Sequence, residues 1–133
     1  LFPYTTLFRS QCGADALADD PMTKLSLSNG ALWSAVAKVR GVAPRLLVLG
    51  GGGYNPWSVA RCWAGVWATL TGRTIPTRLP GPAERLLRSV HWKHRRGRTP
   101  PEHWFTTLAD APNPGPVRPD VNALITAVMA PQR

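Results

Sequence analysis

Long apolar runs are absent from this 133-residue chain. No stretch approaches the ~18 consecutive apolar residues that a membrane-spanning helix needs, which excludes such a helix. Residues 1–10 lack a charged region leading into an apolar stretch and are not expected to be a signal peptide. Cysteine is scarce: Cys12 and Cys62 lie far apart, neither belongs to a CxxC pair, and free thiols in a cytoplasmic protein are the expectation. There is no internal repeat, and so no solenoid. Acidic residues are few, seven against sixteen Lys and Arg, for a formal charge of +9. That balance usually points to nucleic acid, an anionic surface or an acidic partner. Here the charge is not organised into a repeated basic face, so an arginine-rich coding bias, or acidic residues lying outside the chain, is the preferred explanation.

What is present suits one domain with a buried core, since 44% of residues are hydrophobic. Of the fourteen prolines, ten lie beyond residue 66, and with four of the twelve glycines they make the second half read as loop-rich. Residues 1–10, LFPYTTLFRS, do not fit the rest of the chain and are expected to be a non-native leader. The alternative is a strand through Tyr4, Thr5, Thr6, Leu7 and Phe8. Gln11 to Pro21 is small and polar, a loop at the end of a strand. Ser28 or Asn29 caps a helix in which Leu32, Ala35, Val36 and Val39 recur at helical spacing, and Gly41 and Pro44 close it. RLLVLG, from Arg45 to Gly50, predicts a strand buried on both faces, as in a parallel sheet.

Four glycines, Gly50 to Gly53, then lead through Tyr54 to Asn55 at an N-cap and Pro56 at the first helical position. Val59, Ala60, Trp63, Val66, Trp67 and Leu70 form that helix's apolar stripe, and Gly72 stops it. Helix, buried strand, glycine loop and helix in that order predict an α/β fold. Beyond Gly72, a helix over residues 82–93 would turn Leu86, Leu87 and Val90 inward. HWKHRRGRTPPEHW and APNPGPVRP read as irregular, and a last helix over Pro119–Met129 gathers Val121, Leu124, Ile125 and Val128 on one face.

Two places carry candidate chemistry. Asp15 follows Gly13 and Ala14, small neighbours that permit close approach to the backbone. A lone aspartate after a strand is more often a turn residue, and Asp19 and Asp20 nearby dilute the signal. The glycine run leaves amides exposed at a helix N-terminus, which suits a phosphate cradle, yet neither GxGxxG nor GK[ST] is there. The other interpretation gives Tyr54 room at the rim of a narrow pocket, its hydroxyl placed to stabilise a developing oxyanion. Sites in open α/β sheets lie outside the carboxyl ends of the strands, where this loop falls.

QCGADALADDPMTKLSLS, LLVLGGGGYN and VARCW, in this order and spacing, resemble signatures of the arginase-like deacetylase superfamily. It includes the histone deacetylases and the bacterial acetoin-utilisation and acetylpolyamine deacetylases. The likeness covers about residues 11–72 and continues more weakly through RRGRTPPEHWFTTLAD, which is similar to the acetoin-utilisation branch. It implies an open parallel sheet and a bacterial cytoplasmic enzyme hydrolysing acetyl-lysine or acetylated polyamine amides with Zn2+. In that family an aspartate and a histidine from one loop and an aspartate from a later loop hold zinc, two histidines handle protons, and a tyrosine polarises the acetyl carbonyl. Asp15 matches the later aspartate, Tyr54 matches the tyrosine, and Gly51, Gly52 and Gly53 would line the acyl-lysine tunnel. In class I eukaryotic relatives an arginine used for inositol phosphate stands three residues after the tyrosine; Trp57 stands there here, so that regulation is not expected.

The family's paired histidines and first Asp/His motif precede the GAD block, where this chain has only a short non-matching stretch. His91, His94 and His103 follow the tyrosine and match none of them. Residues 11–72 are thus expected to be the C-terminal part of a catalytic domain whose N-terminal part is missing, and 73–133 a loop-rich extension. Alone, the chain is expected to hydrolyse no amide, to bind zinc weakly and to be poorly soluble, with an unpaired edge on RLLVLG and an exposed tryptophan-bearing helix. A rival is a nucleic-acid-binding module over residues 91–98, with Lys93, Arg95, Arg96 and Arg98 on phosphates and Trp92 stacking a base. A charge run followed by prolines is more often a solvated loop. A zinc module of the three histidines has no nearby cysteine and fits no standard ligand spacing.

Overall fold

The computed structural model describes residues 6–130. β1 (Leu7–Cys12) and β2 (Arg45–Gly50) form a parallel pair, in register from Leu7 opposite Arg45 to Cys12 opposite Gly50. Residues 7–10 of the leader are therefore strand, whereas Tyr4 and Thr5 lie outside the described residues. The connection between parallel strands needs a crossover, and α1 (Asn29–Val39) makes it. Opposed residues of a parallel pair share a face. Cys12 and Val48 pack with Trp33 and Val36 of α1 and with Val66 of α2 (Pro56–Thr71).

The sheet is covered on that face alone. Leu47 and Leu49, pointing the other way, are 42% and 47% exposed, which corrects the expectation of a strand buried on both faces. The apolar composition of RLLVLG suits two covered faces, but α1 and α2 both pack on the Val48 side and Leu47 and Leu49 on the other are exposed.

Local signals set the helix ends. Ser28 Oγ accepts the Ala31 amide at 3.3 Å to open α1. Asn55 Oδ1 accepts the amides of Trp57 at 3.1 Å and Ser58 at 3.3 Å to open α2, with Pro56 at its first position. Gly72 ends α2 in the left-handed region at φ 70°, where a side chain is disfavoured.

The buried faces are rotated from the expected stripes. In α1, Trp33 and Val36 go inward and Ala35 stays exposed. In α2, Trp57, Arg61, Cys62, Gly65 and Val66 are buried, while Ala60 is exposed and Trp67 is 63% exposed. The helix meets two partners at once: α1 through Gly65 and Val66, and the C-terminal segment through Trp57 and Arg61. The Trp33 indole N–H donates to the Cys62 carbonyl at 2.9 Å, and its ring lies where a Cβ on Gly65 would sit. Gly65→Ala should therefore cost about 1–3 kcal/mol through overpacking, read as a lowered urea midpoint.

The C-terminal segment is folded onto this unit. α3 (Gly81–Ser89) is shorter than expected; Leu87 is buried and Leu86 exposed. α4 (His103–Thr106) is a single turn. Together they build a second core in which Trp57 stacks on Trp104, with centroids 5.2 Å apart, and meets Phe105 and Trp92 edge-on. The Arg88 guanidinium covers Phe105 and pairs with Glu84 and Glu102. α5 (Pro119–Met129) forms with the expected bounds, but Leu124, Ile125 and Val128 are exposed. No helix among the described residues is long and apolar enough to cross a membrane.

Candidate active site

The loops leaving the carboxyl ends of β1 and β2 lie against each other. The Ala14 amide donates to the Gly52 carbonyl at 2.7 Å. This approach is what demands the glycines. A Cβ on Gly51 would stand 2.9 Å from the Gly13 Cα, and one on Gly52 would collide with the Asp15 carboxylate. Gly53 has φ 148°, and its Cβ would strike Val59 and Ala14. The run therefore makes room for the GAD loop, and Asp15 in particular.

Asp15 is half-buried, and its carboxylate makes no hydrogen bond among the described residues. It lines a groove of about 410 Å³ between the end of β1 and α1, and a second of about 390 Å³ with Met22 to Leu25. Neither Tyr54 nor Gly51 to Gly53 lines these grooves. The Tyr54 side chain is 55% exposed. Its backbone is held: the amide donates to Asp20 Oδ2 at 2.6 Å, and Asp20 is fully buried, with Oδ1 accepting the Met22 amide at 2.9 Å. Beside it, Asn55 Nδ2 donates to the Asp19 carbonyl at 3.1 Å.

The C-terminal segment grips the same turn. Arg96 Nη1 donates to the Asp20 carbonyl at 3.1 Å and more distantly to that of Ala18, and the Trp104 indole donates to Asp19 Oδ2 at 2.6 Å. Two members of the proposed nucleic-acid surface are thus used internally, Arg96 on this turn and Trp92 against Trp57 and His94. Asp20 and Asp110 are residues that local pattern does not single out, and Arg96 stands out in the sequence only as a phosphate contact. Their partners are distant in sequence, and no spacing rule encodes them.

The histidines do not converge on Asp15. His91 is tied to the Ser89 carbonyl, His94 stacks on Trp92, and His103 approaches Asp19 at 3.5 Å. Asp19, His103 and Asp110 are the one group of three metal-capable residues among those described. Their oxygens already serve other partners, since Asp110 binds Arg61 at 2.6 Å and the Asn29 amide at 3.0 Å, and Asp19 takes Trp104.

Both thiols are free. Burial, aided by the nearby Asp110 carboxylate, pushes the Cys62 thiol up to about 12. The thiolate is the reactive form. Alkylation at neutral pH should therefore modify half-buried Cys12 and spare Cys62 until denaturant is added, as peptide mass mapping would show.

The histone deacetylase domain matches residues 6–70. Segment 6–70 belongs to the histone deacetylase family. Histone deacetylase 7 of Arabidopsis thaliana is 42% identical over 71 residues, 53% of this chain and 17% of that protein. Histone deacetylase 8 of Danio rerio is 36% identical over 70 residues, 53% of this chain and 18% of that protein. The crystal structure of an HDAC homolog from Aquifex aeolicus superposes with a TM-score of 0.79 at 34% identity, covering 93% of this chain and 33% of that one. An HDAC homolog complexed with SAHA matches equally well. The chain thus has the histone deacetylase fold and spans a third of the length of that homolog. The structural likeness runs past the matched domain, so the deacetylase fold here includes most of the C-terminal segment.

Proposed function

We propose that this chain supplies part of the active site of a zinc-dependent deacetylase acting on acetyl-lysine or acetylated polyamine amides. Asp15 is one metal ligand, Tyr54 is the oxyanion donor, and Gly51, Gly52 and Gly53 border the acyl channel. The observation that carries this reading is the packing of the glycine run around the unpaired Asp15 carboxylate, with Tyr54 at the end of the run.

A carboxylate without hydrogen-bond partners among the described residues and flanked by glycine backbone fits one corner of a zinc site. Catalytic zinc takes about three protein ligands. Asp15 belongs to no such group among the described residues, so the other ligands come from elsewhere in the working enzyme. Bound there, zinc would supply Lewis acidity and a water of lowered pKa. The part of this chain is then to hold that corner, to keep the channel narrow with side-chain-free backbone, and to donate the Tyr54 hydroxyl to the carbonyl oxygen as negative charge develops on it. General acid and base work falls to histidines supplied elsewhere in the working enzyme.

Co-expression with a segment carrying a paired-histidine block and an Asp-x-His motif tests this. Chelator-sensitive release of acetate, from an acetyl-lysine peptide or from an acetylated polyamine, should appear with the two chains together and be absent from this chain alone. Hydrolysis by this chain alone would contradict the proposal; which substrate turns over assigns the substrate class.

A further inference from the structure

Three glycines in succession leave the position of Tyr54 undetermined by local stereochemistry, and Gly53 holds a backbone conformation that other residues rarely adopt. Something outside the loop must place the tyrosine. The Asp20 carboxylate is fully buried, an expensive location for a charge unless its oxygens are satisfied. Both are satisfied by backbone amides, Oδ2 by Tyr54 at 2.6 Å and Oδ1 by Met22 at 2.9 Å. Charge-assisted bonds of this kind are the strong ones. An ordinary turn aspartate would bond within its own turn and stay exposed; this one also reaches across 34 residues.

The next residues repeat the link, Asn55 to the Asp19 carbonyl, so the two loops are joined twice in succession. On its outer side the Asp20 turn is held by Arg96, from the basic run, and by Trp104 through Asp19. We infer that Asp20 is a positioning residue for Tyr54, braced by Arg96, so that the basic C-terminal run acts as a strap locking the Asp15 loop and the tyrosine loop into one block. The value of that placement for catalysis rests on Tyr54 being the oxyanion donor.

Hydrogen exchange, read by mass spectrometry with fragmentation to single amides at low protein concentration, tests the placement in the chain as it is. Asp20→Ala should accelerate exchange of the Tyr54 amide roughly ten- to a hundredfold, the loss expected of a bond to a charged acceptor, while the Val66 amide in mid-α2 is unchanged. Asp20→Asn keeps one acceptor oxygen but turns its NH2 donor toward the other amide, so it should restore the Tyr54 protection only in part. Arg96→Ala should loosen residues 18–22 and Tyr54 without affecting Val66. Tyr54 exchange unchanged in Asp20→Ala, or an equal rise at Val66, would overturn the inference. In the co-expressed enzyme, Asp20→Ala should lower kcat with little change in KM and should add nothing in a Tyr54→Phe background; additive losses would show that Asp20 does not act through Tyr54. Failure of the co-expressed wild type to turn over would count against Tyr54 as donor, while the exchange result would still decide the placement.

Discussion

Replacing Asp110 with alanine should lower the unfolding free energy by about 3–5 kcal/mol, because it strands a buried guanidinium. Arg61 is 1% exposed and sits in the middle of α2. Its Nη2 binds Asp110 Oδ1 at 2.6 Å, and its Nε donates to the Thr107 carbonyl at 2.7 Å. Asp110 also accepts the Asn29 amide, returns its own amide to Asn29 Oδ1 at 2.9 Å, and is joined by Asn29 Nδ2 on the Leu108 carbonyl at 2.8 Å. One carboxylate thus ties the start of α1, the centre of α2 and the C-terminal segment together. A small domain has about 5–15 kcal/mol in total, so the loss is a large share of it, visible as a strongly lowered urea midpoint. Arg61→Met combined with Asp110→Leu should be far milder than Asp110→Ala, since no charge is left buried without a partner. Equal damage from the two variants would mean that the network acts through packing rather than charge.

The second large effect concerns chemistry. In the co-expressed enzyme, Tyr54→Phe should reduce kcat by about a hundred- to a thousandfold, the loss typical of one oxyanion donor, with KM little changed. In the proposed role the hydroxyl would meet charge that develops only in the transition state, and the exposed ring packs on no core cluster that its loss would loosen. Gly52→Ala should be inactive for a different reason, because the added methyl falls on the Asp15 carboxylate. The two variants separate on metal content: Tyr54→Phe should keep zinc and Gly52→Ala should lose it.

Much of the fold was legible because it is encoded locally. Asn55 with Pro56, the glycine at 72 and the serine at 28 each state a helix end within a few residues, and the structure places the caps there. Burial was less legible, because it depends on what covers a surface. RLLVLG predicts two covered faces, but Leu47 and Leu49 are left largely exposed. Ala35 and Trp33 are both compatible with an inward α1 face, and the choice is made by Gly65 across the interface. At the candidate site, Asp15 carries no distinguishing local signal and stands out only through the family resemblance, whereas the glycine run and Tyr54 are distinctive by their chemistry. In the sequence Asp20 is one of several turn aspartates. Its significance is the bond to Tyr54, which only the folded chain reveals.

The most direct test of the whole account is zinc retained after gel filtration and measured by elemental analysis, for this chain alone, for the co-expressed complex, and for the complex carrying Asp15→Ala. The account predicts about one zinc per complex, a small fraction of that for the chain alone, and loss of the metal in Asp15→Ala, as expected when about three protein ligands are needed and one comes from here. Stoichiometric zinc on the chain alone, or an Asp15→Ala complex that holds zinc as tightly as the wild type, would contradict it.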